Sequence, residues 1–362
     1  VTDEPKKLRA GVVGLGWAGQ QHMQAYFDAA NADLVALAGM EAEKLAELGD
    51  KYGVERRYAD WESMIKSGDL DVISVATPTA LHAPIAVGAL NAGIHVLSEK
   101  PMAESGAAAA TMVQAAKDND RVLDVSFNHR QRGEVTALKE IIDRGRLGQI
   151  YYAKAGWLRR QGIPGLGTWF TRASLAGGGA MMDIGVHMLD MALHLLGNPE
   201  VSSATAATYA EFGPRGRGGS AYGPRANVDT KVDFEVEDLS TAFLRLDGGG
   251  TLLLESSWAQ WIPYDQCYVA LYGSEGGASI EWGGWGVEPY QRLNVWTEID
   301  GIPAELQPIV PPAGHHEASV LKFLDKVQSG QFAEHRGEEA LIRAKVLDAI
   351  YASAAKGTEV TL

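Results

Sequence analysis

Apolar and polar positions follow two regimes along this chain, and the change falls near residue 128. Up to that point short continuous apolar runs alternate with helix-period stretches. Val12-Val13 and residues 34–38, 72–76, 95–98 and 122–127 read as strands; 20–29, 41–52, 61–66, 85–92 and 105–119 read as helices. Strands that are apolar on both faces, separated by helices, predict a parallel sheet covered on two sides. Beyond 128 the helices at 134–143 and 183–196 surround a strand at 150–158. Strands follow at 203–210, 239–246, 251–258, 268–272, 278–281 and 293–297, joined by turns such as Asp247-Gly248-Gly249-Gly250. That is the signature of an antiparallel sheet. Residues 213–225, rich in Gly, Pro and Arg, predict an exposed loop, and helices at 317–327 and 338–355 close the chain.

The first strand runs into Gly14-Leu15-Gly16-Trp17-Ala18-Gly19, a G-x-G-x-x-G turn opening a helix. In such a turn Gly14 permits the tight bend, Gly16 lets a pyrophosphate approach the backbone, and Gly19 lets helix and strand pack closely. The phosphates then meet the unpaired N–H groups and positive dipole end of the helix. The motif gives the first domain, 1–128, a dinucleotide; 129–362 is left as the substrate-binding and oligomerisation domain. Its closing helices are also able to pack back on the first domain.

A length of 362 residues exceeds what one core organises, which supports two domains. The net charge of −14 argues against nucleic acid as a partner. Cys267 is the one cysteine, so no internal disulfide forms and a reducing compartment fits. No apolar leader core and no bilayer-length apolar run stand out, and a cytoplasmic protein without membrane attachment is expected.

Four more motifs fall at strand ends or helix starts: Thr77-Pro78 with His82 nearby, Glu99-Lys100-Pro101, Asn128-His129-Arg130, and the glycine run 177–179 leading through Asp183 to His187. Together they resemble the Gfo/Idh/MocA oxidoreductases, and the likeness extends over nearly the whole chain, including Val236-Glu237-Asp238. The resemblance implies an α/β protein: a Rossmann doubly wound parallel sheet, then an α+β domain on a large, mostly antiparallel sheet that commonly buries an oligomer interface. It also implies a cis bond at Lys100–Pro101.

Asp183 and His187 stand at i, i+4, one face of a helix. A carboxylate beside an imidazole orients it and raises its basicity, which suits removal of a hydroxyl proton. Lys100 offers a cation for a developing alkoxide. The family carries these catalytic roles on the matching residues. For the cofactor the expected contacts are Gly14, Gly16, Trp17, Ala18, Gly19, Glu41, Thr77, Pro78, His82, Glu99, Lys100 and Asn128. For the substrate they are Lys100, Arg130, Trp157, Arg160, Trp169, Asp183 and His187. The other tryptophans, Trp258, Trp261, Trp282, Trp285 and Trp296 among them, are assigned to packing.

No metal is expected. Asp183, His187 and Asp190 share a face that would suit one, but Asp190 is more simply a structural partner within the helix. His315-His316-Glu317 precedes a helix, where capping and solvation account for it. The ribose-reading position at the end of the second strand is Gly39 in place of an acid, with Met40 after it. Glu41 favours NAD and Lys44 would favour NADP; NAD is the expectation, with NADP possible. The reading is therefore an NAD(P)-dependent dehydrogenase or reductase acting on a ring secondary hydroxyl or ketone of a sugar, glycoside or cyclitol, as a homodimer or homotetramer. The alternatives are a sugar–sugar oxidoreductase that retains its cofactor and a non-catalytic nucleotide-sensing regulator.

Overall fold

The computed structural model describes residues 7–219, 233–284, 288–312 and 314–362. Trp285 and positions 220–225 of the expected loop lie outside the described residues. The chain divides into two compact units: Val1–Asn128 with Gly314–Leu341, and His129–Ala313 with Ile342–Leu362.

The first unit holds six strands: β1 (Leu8–Val13), β2 (Ala32–Ala38), β3 (Arg56–Tyr58), β4 (Val72–Val75), β5 (His95–Ser98) and β6 (Leu123–Val125). They run parallel in the order β3-β2-β1-β4-β5-β6. The order reverses between β1 and β4, so the connections leave opposite faces there and open a crevice at the carboxyl ends. Val12, Val72 and Leu97 are fully buried, which is why these strands read as unbroken apolar runs. The helix Trp17–Asp28 buries Met23 and Tyr26 in the same core that receives Phe323 and Leu324 from the helix His315–Ser329. The short edge strand β3 has no counterpart in the sequence reading. Its three residues are only half-buried, so it carries no apolar run to detect.

The second unit is built on nine strands: β7 (Ile150–Leu158), β8 (Val201–Tyr209), β9 (Leu239–Leu246), β10 (Thr251–Ser257), β11 (Gln266–Gly273), β12 (Gly277–Gly283), β13 (Tyr290–Ile299), β14 (Ile302–Leu306) and β15 (Val360–Thr361). Their order is β14-β13-β12-β11-β7-β10-β9-β8-β15. Every pairing is antiparallel except β7 with β10. Strand side chains alternate between faces. The inward set, Ala153, Ala155, Leu252, Leu254, Val269 and Leu271, is buried. It is covered by the helix Val186–Leu195, nine of whose ten residues are buried. The other face presents Leu253, Tyr272 and Trp296, exposed by about two fifths each (40%, 37% and 41%), with Tyr152 stacked on Tyr272 at 5.3 Å.

Candidate active site

In the first unit the glycine turn is a backbone cradle. Gly14 has φ +107°, and a Cβ there would strike the carbonyl oxygen of Ala76 at the end of β4. A Cβ on Gly19 would strike the carbonyl of Gly14, whereas one on Gly16 meets nothing within 4 Å. Two glycines are thus required by contact and the third faces open space, as a pyrophosphate seat demands. Gly16 caps the helix without a side-chain hydrogen bond, which leaves the first N–H groups for an anion. Trp17, 67% exposed, and Ala18 form the first helical residues. At the ends of β4 and β6, Thr77 Oγ1 and Asn128 Oδ1 are buried without hydrogen-bond partners among the described residues, as groups awaiting a ligand would be. The glycine turn, with Thr77 and Asn128, therefore fits a dinucleotide.

Gly39 has its own cause. A Cβ there would come within 2.5 Å of Leu15 Cγ, a side chain only 2% exposed. The place where an acid usually reads the ribose is filled by leucine. Glu41, exposed at the start of the helix Ala42–Tyr52, is the next carboxylate along.

Glu99-Lys100-Pro101 leaves β5 with Lys100–Pro101 in the cis form. His82 ties this turn to its neighbour: Nδ1 lies 2.8 Å from the Pro101 carbonyl and Nε2 2.9 Å from that of Thr77. Burial lowers its pKa and outweighs the two carbonyls, which favour the charged ring. Behind Lys100, Glu99 is buried between His22 and His316. Burial alone would push its carboxyl up, but the two imidazoles hold it well below the usual carboxylate range. His316 is consequently no solvated capping residue: it lies inside the helix His315–Ser329 and is 9% exposed, because its helix turns that face toward Glu99.

In the second unit Asp183 sits on a π-helical turn, Met181–Gly185, and His187 on the first turn of the α-helix that follows. The expectation of one regular helix from 183 is corrected here. Ser256 Oγ on β10 donates to the Ala180 carbonyl at 2.6 Å, so a side chain enters the ladder where the helix opens. The glycine run before it is fixed by Glu237, whose carboxylate accepts from Gly179 N, Met181 N and Tyr351 Oη, each at 2.9 Å. Burial raises the Glu237 pKa, partly offset by these donors.

Asp183 Oδ2 accepts from Trp258 Nε1 at 2.9 Å, so Trp258, packed fully buried in the core as expected, also anchors the candidate acid–base pair. His187, 7% exposed, is boxed by aromatic rings: His129 at 4.6 Å and Trp157 at 5.8 Å between centroids, with Trp282 5.8 Å from His129. His129, Trp258 and Trp282 were missed because only the fold gathers them; in the sequence His129 hides in a motif chosen for its neighbours. One turn after His187, Asp190 reaches beyond its own helix. It accepts two bonds from Arg130, at 2.8 and 2.6 Å, and one from Arg343 at 3.0 Å. Burial would raise its carboxyl, and Arg130 and then Arg343 hold it below its ordinary value. Of the expected substrate residues, Trp157 joins His187. Arg130 is engaged by Asp190, Arg160 donates to the Pro263 carbonyl at 2.9 Å, and Trp169 stacks on Phe170 at 3.8 Å.

Comparison with known proteins agrees with this geometry. Residues 8–127 match the model of an oxidoreductase family with an NAD-binding Rossmann fold, and 135–279 match the GFO/IDH/MocA C-terminal domain. D-Glucoside 3-dehydrogenase of Escherichia coli is 31% identical over 98% of this chain and 97% of its own. Levoglucosan dehydrogenase of Pseudarthrobacter phenanthrenivorans is 31% identical over 75% of this chain and 73% of its own. A levoglucosan dehydrogenase solved with NADH and L-sorbose has a TM-score of 0.82 at 26% identity, covering 98% of this chain and 99% of the other. An aldose-aldose oxidoreductase from Caulobacter crescentus has a TM-score of 0.78 at 26% identity, covering 99% and 100%. With a glycine cradle made for a dinucleotide and a histidine box on a broad antiparallel sheet, the chain belongs to the Gfo/Idh/MocA family of oxidoreductases.

Proposed function

We propose that this protein is an NAD-dependent dehydrogenase of a ring secondary hydroxyl on a sugar, glycoside or cyclitol. The observation that carries the reading is the pairing, in one chain, of an intact nucleotide cradle with His187, set among aromatic rings beside an anchored Asp183. Sugar dehydrogenases among its relatives support the substrate class. The glycine turn would hold NAD, which would supply the hydride acceptor. His187 takes the hydroxyl proton, Asp183 supports the resulting imidazolium, and Lys100 stabilises the alkoxide as it forms. Trp157, which is only half-buried, suits the C–H face of a sugar ring. The test is a panel of glucosides, aldoses and cyclitols with NAD and with NADP, followed by reduced-nicotinamide absorbance. No turnover with any ring alcohol would defeat the reading.

A second reading keeps the cofactor bound and exchanges hydride between two sugars, supported by the likeness to an aldose-aldose oxidoreductase. Nicotinamide absorbance that survives exhaustive dialysis of the purified protein would select it. We also propose a homodimer or homotetramer formed through the outer face of the nine-stranded sheet, where Leu253, Tyr272 and Trp296 await an apolar cover. Light scattering that reports a monomer at micromolar concentration would refute this. A reducing, cytoplasmic setting is proposed with it, supported by one buried cysteine, Cys267.

A further inference from the structure

Among the described residues, one group of side chains has the spacing of a metal site, and no step of the proposed reaction uses it as one. His22, Glu99 and His316 come from the helix after the glycine turn, from the end of β5 and from the late helix His315–Ser329. All three are buried, and one ligand atom from each lies within 4.8 Å of the others. His22 Nε2 is 3.1 Å from Glu99 Oε1, and His316 Nδ1 is 3.4 Å from the same oxygen. Ligands bound at 2.0–2.1 Å around a tetrahedral ion stand about 3.3 Å apart.

Hydrogen bonding alone does not account for the group. The His22–Glu99 contact can be one, but His316 Nδ1 stands at ion-pair distance from the same Oε1 without completing a hydrogen bond among the described residues, so both imidazoles converge on one oxygen. A buried ring nitrogen left so is costly unless something else meets it. The surroundings are those of an outer shell that orients ligands. His22 Nδ1 lies 2.8 Å from Ser74 Oγ, which is 3.0 Å from Tyr26 Oη, so Nε2 can present its lone pair inward. Glu99 Oε2 accepts from Lys100 N at 3.1 Å, which leaves Oε1 as the inward oxygen. Two imidazoles and a carboxylate are the donor set of a zinc-type ion with one further position.

We propose that His22, Glu99 and His316 bind one divalent transition-metal ion of the zinc type. The ion cross-links three distant segments of the first unit and fixes the carboxylate to which the Lys100 backbone is bonded. The inference is independent of the dehydrogenase reading, since metal uptake is measured without turnover.

The test is titration of the chelator-treated full-length protein with Co²⁺. The expected result is one equivalent taken up, with the intense visible absorption of a four- or five-coordinate site, displaced by one equivalent of Zn²⁺. The thermal midpoint rises with Zn²⁺, because an ion that binds only the folded state stabilises it. H316A abolishes the uptake, and H315A, which alters the adjacent imidazole, retains it. Circular dichroism verifies that H316A folds; should it not, H22N serves in its place. Wild-type protein that takes up no cobalt, that shows only the weak spectrum of octahedral surface binding, or that binds no better than a folded H316A or H22N would overturn the proposal.

Discussion

The nucleotide cradle and the histidine box solve opposite problems. At Gly14 and Gly19 the first unit works by leaving atoms out, so that backbone approaches backbone and N–H groups stay open to an anion. The second unit works by adding them. His187 is placed by rings from two other segments, Asp183 by Trp258, the turn beneath them by Glu237, and Asp190 by two arginines. A site built of omissions is short in sequence and intolerant of any side chain. A site built of side chains is scattered in sequence, and its members differ in how much each one matters.

The sharpest test of that contrast is removal of the chemistry. H187A or K100A should lower kcat by about 10²–10⁴-fold, with NADH affinity measured by fluorescence nearly unchanged. A variant with near-normal turnover would show that the proton relay lies elsewhere. G19V should do the reverse: its Cβ meets the Gly14 carbonyl, so NADH binding is lost and stability falls by about 2–4 kcal/mol in denaturant titration. Retained nucleotide affinity would refute the contact argument.

Next comes D190N, which leaves Arg130 and Arg343 facing a neutral amide and should cost about 3–5 kcal/mol. The sign with pH follows from the depressed carboxyl. Asp190 contributes its stabilisation above its ordinary value of 3.8, and that is lost as pH falls through the lower folded-state value. The acid limb of the wild-type stability curve should therefore be steeper than that of D190N. Equal slopes would mean the carboxylate is not held as described. The smallest expected effect is at the cofactor's ribose. E41A should narrow the preference for NAD over NADP severalfold in kcat/KM, by weakening one and relieving repulsion of the other. A wild-type protein that strongly prefers NADP would move the ribose contact to Lys44.

The same contrast explains what the sequence revealed. The parallel sheet was legible because strands buried on both faces leave unbroken apolar runs, and the cradle because Gly14, Gly16 and Gly19 all fall within one short turn. The edge strand β3 left no such trace. Strand β14 leaves only its turn, Asp300-Gly301, both residues at positive φ. At the second site, Asp183 and His187 were legible through the motif they close. The π-helical turn was not, since Ser256, which opens it, is 76 residues away. Nor was the clasp of Asp190, whose partners stand 60 positions before it and 153 after.

Leu15 gives this protein a history of permitted changes as well as a shape. While that leucine occupies the space beside Gly39, an aspartate cannot enter at 39 in one step, because its first carbon already collides. G39D alone is a dead end, and L15A alone opens a void with nothing to fill it. Only the pair, with the small residue arriving first, leads to an acid on the strand. With the ribose contact proposed for Glu41, specificity would be guarded by the order in which substitutions must occur, and Glu41 would be where a single change acts.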